Sequence, residues 1–149
     1  KIDDNLTLDG TRASAYATVL DSLRDGVTTI FDHHASFCEI PGSLFAIKDV
    51  CEETGIRACL CYETSDRRGD EKRDQSIAEN AEFAQWAAKQ DSGMIAAMFG
   101  GHATFTLSDE TMDKMAEAND GLTGFHIHVC EGMNDVWDAD ICLASENTS

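Results

Sequence analysis

Short, almost wholly apolar segments alternate along this chain with longer segments whose apolar residues recur every three or four positions. The apolar segments cover residues 27–31, 56–62, 94–99 and 123–129. Apolar runs rich in β-branched and aromatic residues are typical of strands covered on both faces. Helical spacing between such runs predicts the order helix, strand, helix, strand, which is the order of a parallel α/β sheet.

Local signals predict where the helices begin and end. The first runs from about residue 11 to residue 24 with its apolar residues on one face, and the second ends at Gly55. The third is predicted to begin near Ser76, because Ser76 and Glu79 have the spacing of a capping box. Ser108 opens the fourth. Residues 63–74 are expected to form a long charged loop, a feature that is often functional.

Four strands, each preceded by a helix, make half of a (β/α)8 barrel or most of an open doubly wound sheet. A complete barrel needs roughly 200 residues or more, and the chain has 149. We therefore expect residues 1–149 to form one partial barrel domain. It is either a fragment of a longer protein or a half-barrel that pairs to cover its open edges. A start at Lys1 without an initiator Met also predicts a fragment boundary or a processed end.

Every histidine lies at, or just past, the end of a predicted strand: His33, His34, His102, His126 and His128. In parallel α/β folds, catalytic groups gather where strands end and helices begin. The pattern therefore predicts one polar face that binds a metal.

The densest motif is residues 126–131, which read HIHVCE. Strand alternation puts His126 and His128 on one face, and an imidazole at the mouth of a barrel is a natural zinc or iron ligand. Glu131 follows where the chain turns away, so it could carry a proton for a metal-activated water. In the charged loop, Arg67 is either a solvated surface group or a contact for carbonyl, carboxylate or ring-nitrogen acceptors of a substrate.

Composition excludes some partners. The chain has 28 acidic and 11 basic residues, a net charge of −17 that repels nucleic acid and anionic lipid. No apolar run approaches the ~20 residues of a membrane span. Six cysteines without a CxxC pair favour reduced thiols and a cytoplasmic location. We expect a small-molecule substrate, and neither nucleic acid nor membrane as a partner.

Three segments together resemble the amidohydrolase superfamily, in its cytosine-deaminase and chlorohydrolase branch. They read GVTTIFDH at 26–33, GHATFTLSDE at 101–110 and HVCE at 128–131. The fuller strings IFDHHAS at 30–36 and GIRACLCYE at 55–63 resemble the SsnA-type aminohydrolases. The resemblance covers roughly residues 7 to 137.

The resemblance implies a metal-dependent aminohydrolase or deaminase that acts on C–N bonds of a nitrogen heterocycle. The metal would be zinc, with iron or manganese as alternatives. His128 matches the metal ligand on the fifth barrel strand, Glu131 the acid–base carboxylate, and His102 a substrate contact. Other residues are expected near the site without a firm role; these are His126, His33, His34, Asp32 and Asp66.

The chain departs from the family pattern in its metal ligands. The family's first strand carries an HxH pair, and no histidine precedes Gly26. The ligands of the sixth and eighth strands would lie beyond Ser149, so the chain would hold strands two to five only. Alone it is expected to be inactive. The alternatives are a non-catalytic half-barrel that acts as a binding or assembly module, and a cyclic amidohydrolase or chlorohydrolase. The open edges would be covered by homo-oligomerisation or by the remainder of a barrel.

Overall fold

The computed structural model describes residues 2–133, together with Asp135 and Trp137. Helices and strands alternate along this part of the chain. The helices are α1 (Leu8–Arg24), α2 (Ser43–Thr54), α3 (Asp70–Ala87) and α4 (Asp109–Asn119). The strands are β1 (Thr29–His34), β2 (Arg57–Tyr62), β3 (Ile95–Ala97), β4 (Phe99–Ala103) and β5 (Phe125–His128). Short 3-10 helices cover Asp66–Arg68 and Thr104–Thr106.

The strands pair in chain order and all pairs are parallel. β1, β2 and β3 form a three-stranded sheet, and β4 and β5 form a second, two-stranded one. Helices connect the strands, which confirms the predicted parallel α/β architecture. Among the described residues, no helix is long and apolar enough to cross a bilayer.

The single strand predicted over residues 94–99 is wrong, because the chain changes partner within it. Met98 N donates to Leu60 O of β2 at 3.1 Å, whereas Phe99 N donates to Gly124 O, beside β5, at 2.9 Å. β4 then continues to Ala103, so His102 lies inside a strand rather than after one. Gly100 is required there, since a Cβ at this position would lie 2.2 Å from the carbonyl oxygen of Tyr62. Gly100 therefore permits a close approach of two strands.

The side chain of Asn80, on α3, replaces the backbone ladder between β2 and β4. Its Oδ1 accepts hydrogen bonds from Tyr62 N at 2.8 Å and Gly100 N at 3.2 Å. Its Nδ2 donates to Tyr62 O at 2.9 Å and Gly100 O at 3.3 Å. Asn80 is 1% exposed, so these bonds form out of contact with water. The Asn80 amide thus joins the two sheets where strand pairing is interrupted, next to the backbone bonds from Thr64 N to Gly100 O at 3.2 Å and from His102 N to Thr64 O at 2.9 Å.

The capping box predicted at Ser76 is also wrong. α3 begins at Asp70, after Gly69, and Ser76 Oγ donates to Arg73 O within the helix at 2.6 Å. The Glu79 carboxylate instead accepts from Gly42 N at 2.7 Å and Leu44 N at 2.9 Å, at the start of α2. The spacing of Ser76 and Glu79 does not show that the Glu79 carboxylate caps α2 instead of its own helix. The predicted loop over 63–74 is correspondingly shorter.

Glu79→Ala is expected to lower the free energy of unfolding by about 2 kcal/mol, because two buried amide N–H groups at a helix start lose their acceptor. Urea unfolding followed by circular dichroism measures the change. Glu82→Ala is the matched control, since Glu82 lies on the same helix and is exposed. Equal losses in the two variants would show that Glu79 does not stabilise the start of α2.

α1 differs from its prediction in start and in orientation. It begins at Leu8, where Thr7 Oγ1 accepts from Gly10 N at 3.2 Å. Its buried residues are Thr11 and Val19, whereas Leu20 is 48% exposed. The helix is therefore rotated relative to the face that its apolar spacing predicts. The main core lies between helices α1, α2 and α3 and the sheet of β1, β2 and β3. Its largest buried side chains include Tyr62 and Phe83.

Candidate metal and active-site face

Imidazoles from three strands gather at the carboxyl ends of β1, β4 and β5. The ring of His33 lies 4.5 Å from that of His126 and is stacked 4.6 Å from that of His128, measured between centroids. The rings of His102 and His128, on neighbouring strands, are 6.0 Å apart. The structure thus brings together four of the five histidines that the sequence places at strand ends.

Burial favours the neutral form of two of these imidazoles, those of His33 and His102. Desolvation, helped by the neighbouring imidazoles, lowers the pKa of His33 to about 4. Desolvation also lowers the pKa of His102, with Arg67 and His128 acting in the same direction. The charge of Glu131 opposes that shift, so this carboxylate lies close enough to affect His102 electrostatically. Neutral rings keep a nitrogen lone pair free for a metal at neutral pH.

A tight turn separates His128 from Glu131. β5 ends at His128, and Cys130 has a φ of +57°, in the left-handed region that non-glycine residues seldom adopt. The backbone N–H of Glu131 donates to Oδ2 of Asp135 at 2.7 Å, and Asp135 is buried. The turn leaves Glu131 exposed at the strand-end face. Non-glycine residues with a positive φ are often found at functional sites.

Arg67 and His102 share a cavity of about 290 Å³, which is also lined by Asp3, Phe37, Glu63 and Arg68. Arg67 forms an ion pair with Glu63, and its Nε donates to Ser65 Oγ at 2.9 Å. Nδ1 of His102 lies 2.9 Å from Thr106 Oγ1. Its other ring nitrogen has no hydrogen-bond partner in the part of the chain that the structure describes. Arg67 is therefore placed beside His102, at the same end of the sheet.

Asp32, His34 and Asp66 lie away from this cluster. Asp32 and His34 line a different cavity of about 230 Å³ next to α1, because alternate residues of β1 point to opposite faces. Nε2 of His34 lies 2.9 Å from Ser36 Oγ, and burial lowers its pKa to about 4. The Asp66 carboxylate accepts from Ser108 N at 2.7 Å, at the N-terminus of α4.

Cys61 also belongs to this face, although the sequence pattern did not predict it. Its Sγ lies 3.7 Å from Nδ1 of His126 and donates to the carbonyl oxygen of Asp32 at 3.4 Å. Burial raises the pKa of the Cys61 thiol to about 12. The available signal was the alternation in β2, which puts Cys59 and Cys61 on one face. The partner strand and register were needed to place that face beside the histidines.

A parallel sheet with imidazoles and a carboxylate at its strand ends is the arrangement of metal-dependent barrel hydrolases. The sequence profile of the amidohydrolase family matches residues 7–140, and the chain belongs to this family. The predicted resemblance to the amidohydrolase superfamily is confirmed.

Named relatives deaminate adenosine-like compounds. The chain is 31% identical over 142 residues to a 5'-deoxyadenosine deaminase of Methanobrevibacter smithii, covering 93% of this chain and 30% of the relative. It is 27% identical to a 5-methylthioadenosine/S-adenosylhomocysteine deaminase of Thermococcus onnurineus, covering 88% of this chain and 30% of the relative. The chain therefore spans about a third of the length of these relatives.

Solved structures show the same fold. A zinc-bound adenosine deaminase from Xanthomonas campestris superposes with a TM-score of 0.72 at 20% identity, over 89% of this chain and 29% of that one. The guanine deaminase of E. coli gives 0.62 at 18% identity, over 85% of this chain and 30% of that one. Both matches cover only part of the larger enzyme, as expected for strands of an incomplete barrel.

Proposed function

We propose that this chain supplies strands two to five of a metal-dependent barrel enzyme that deaminates a nitrogen heterocycle. The observation that carries the proposal is the grouping of His102 and His128, whose rings are 6.0 Å apart, with the exposed Glu131 three residues after His128. The deaminase names of the relatives support the same reaction class. An adenine nucleoside is the first substrate class to test.

This chain contains some of the protein ligands that a divalent metal needs. His128 is half-buried at a strand end, as a metal-ligating imidazole of a barrel should be. Zinc is proposed as the ion, since a solved relative of this fold contains it, and iron or manganese also suit imidazole and carboxylate ligands. Hydrolytic metal sites use several protein ligands, and the remaining ones are proposed to come from strands that this chain does not supply. The bound metal would lower the pKa of a water so that it attacks at neutral pH.

Glu131 is the proposed proton carrier. During hydrolysis a C–O bond forms to the ring carbon, the exocyclic C–N bond breaks, and the nitrogen leaves as ammonia. The Glu131 carboxylate accepts the proton released by the attacking water and delivers it to the leaving nitrogen. Its position on an exposed turn three residues after His128 gives it access to both groups.

His102 and Arg67 are proposed to hold the substrate. Burial lowers the pKa of His102, which favours the neutral ring; its Nδ1–H donates to Thr106 Oγ1, whose own proton goes to Ala103 O, so Nε2 is left to accept a hydrogen bond from an N–H or O–H of the substrate. Arg67 lines the same cavity as His102 and offers donors for carbonyl, carboxylate or ring-nitrogen acceptors. His126 and His33 pack beside His128 and would fix the orientation of its ring.

Ammonia release tests the proposal. The full-length enzyme that contains these strands, supplied with zinc, should release ammonia from one or more of 5'-deoxyadenosine, 5-methylthioadenosine, S-adenosylhomocysteine, adenosine, guanine and cytosine. The 149-residue chain alone should release none. Chloride release from a chlorinated triazine, without ammonia from any member of the panel, would overturn deamination in favour of chlorohydrolysis. Turnover by the isolated chain would show that the missing ligands are not needed.

We also propose a cytoplasmic location and a covered sheet edge. The cysteines Cys38, Cys51, Cys59, Cys61 and Cys130 are all free thiols. Reduced thiols are usual in the cytoplasm and rare outside it. β1 and β5 lie at sheet edges, and the rest of a barrel or a second copy would pair with them. The resemblance to SsnA-type aminohydrolases stays a prediction.

A further inference from the structure

A row of side chains crosses strands β1, β2, β4 and β5 just below their carboxyl ends. His33 and Cys61 are register partners on β1 and β2, and Gly100 and His126 are register partners on β4 and β5. Register partners in parallel strands project to the same side of the sheet. Gly100 contributes no side chain to the row, and a Cβ there would lie 3.1 Å from the Cβ of Cys61. The glycine therefore leaves room for the His126 ring to approach the Cys61 thiol across β4.

The donor atoms of this row have the spacing of a metal site. One nitrogen from His33, one from His126 and the sulfur of Cys61 all lie within 4.8 Å of one another. Cys61 Sγ and His126 Nδ1 are 3.7 Å apart. Zinc–sulfur and zinc–nitrogen bonds of about 2.3 and 2.0 Å place two tetrahedral ligands about 3.5 Å apart. That pair is thus already near the required separation, and binding of an ion by all three residues would require the His33 ring to turn toward the pair.

The ring of His33 packs against those of His126 and His128, but its two nitrogens are left unsatisfied within the described part of the chain. Both of its ring nitrogens are buried, and neither has a hydrogen-bond partner among the described residues. A buried imidazole without partners is destabilising, because its desolvation is not compensated. An ion held by His33 would remove this cost.

We propose that His33, Cys61 and His126 form a binding site for a transition-metal ion of the zinc class, distinct from the ligand position proposed at His128. Two imidazoles and a thiolate select zinc or a similarly soft ion over magnesium and calcium, which prefer oxygen ligands. On binding, the sulfur–metal bond forms as the thiol proton leaves to solvent. The site does not depend on the deaminase assignment, because its three ligands do not include His128, His102 or Glu131.

Cobalt titration of the 149-residue chain tests the site, since Co²⁺ replaces Zn²⁺ and reports a thiolate ligand by a charge-transfer band in the near ultraviolet. The titration uses a background with serine at Cys38, Cys130 and Cys142, which removes other thiols that could bind the ion. One equivalent of Co²⁺ should produce the band, and Zn²⁺ should displace it. Absence of the band in this background would overturn the proposal.

Variants identify the ligands. Cys61→Ser should abolish the band, whereas Cys59→Ser, on the same face of β2, should keep it. His33→Ala and His126→Ala should weaken cobalt binding by at least the roughly 10- to 100-fold that loss of an outer-shell partner causes. His128→Ala should leave the band intact. If His128→Ala abolished binding and Cys61→Ser did not, the ion would belong to the proposed catalytic position and the thiolate site would be wrong.

X-ray absorption of the zinc-loaded, unsubstituted chain gives a result that does not require any variant to fold. It should show one sulfur at about 2.3 Å with nitrogen ligands at about 2.0 Å. A shell of nitrogen and oxygen alone would mean that Cys61 is only a hydrogen-bonded core thiol. Neither outcome bears on ammonia release, so failure of this site and failure of the deaminase proposal are distinguishable.

Discussion

Glu131→Gln in the full-length enzyme is expected to lower kcat by about 10²- to 10⁴-fold, the usual contribution of a general acid–base group. Glutamine matches the shape of the side chain but cannot take a proton from water or give one to the leaving nitrogen. Metal content should stay unchanged, because Glu131 is not a proposed ligand. Initial rates of ammonia release, with metal measured on the same sample, check both expectations.

Two further variants make this result specific. Glu117→Gln removes an exposed carboxylate from α4 and should leave kcat unchanged. His128→Ala should remove the catalytic metal and turnover together. The combination of lost turnover and retained metal therefore separates the proton carrier from a metal ligand. A Glu131→Gln enzyme with normal kcat would place the acid–base group elsewhere on the strand-end face.

The sequence predicts the order of elements well because each element follows from local rules. Apolar runs such as residues 56–62 are strands in the structure, and the glycines at 26 and 55 adopt the positive φ of helix ends. Parallel pairing then follows, since a helix connects each strand to the next sheet partner. The gathering of His33, His102, His126 and His128 at one face is a consequence of that topology.

Contacts between distant segments were not predictable, because they depend on register and on helix rotation. The Glu79 carboxylate serves α2 rather than its own helix, and Cys61 meets His126 across 65 residues of sequence. Both pairings need the three-dimensional arrangement of β2, β4 and α3. The change of partner at Met98 was hidden for the same reason: a continuous apolar run looks alike whether it pairs with one strand or two.

Asn80→Ala is expected to destabilise the chain strongly. It leaves the N–H and C=O groups of Tyr62 and the N–H of Gly100 without their partner, in a position where Asn80 is 1% exposed, whereas the Gly100 carbonyl keeps its bond from Thr64 N. Each buried polar group left unsatisfied costs roughly 1–3 kcal/mol, so the free energy of unfolding should fall by about 4 kcal/mol. For a domain with a total stability of about 5–15 kcal/mol, that loss is enough to populate unfolded chains.

Urea unfolding of the 149-residue chain measures the loss, with Gln85→Ala as the control because Gln85 is exposed on the same helix. Asn80→Asp keeps the acceptor for the two N–H groups but directs a second oxygen at the two carbonyls, so it should also destabilise. Hydrogen exchange gives the local result: the amides of Tyr62 and Gly100 should exchange faster than other strand amides. Because Asn80 is the side chain that joins β2 to β4, its loss should loosen His102 and His128 from His33 and Cys61. An Asn80→Ala chain that unfolds with the same midpoint as the control would mean that backbone contacts alone hold the two sheets together.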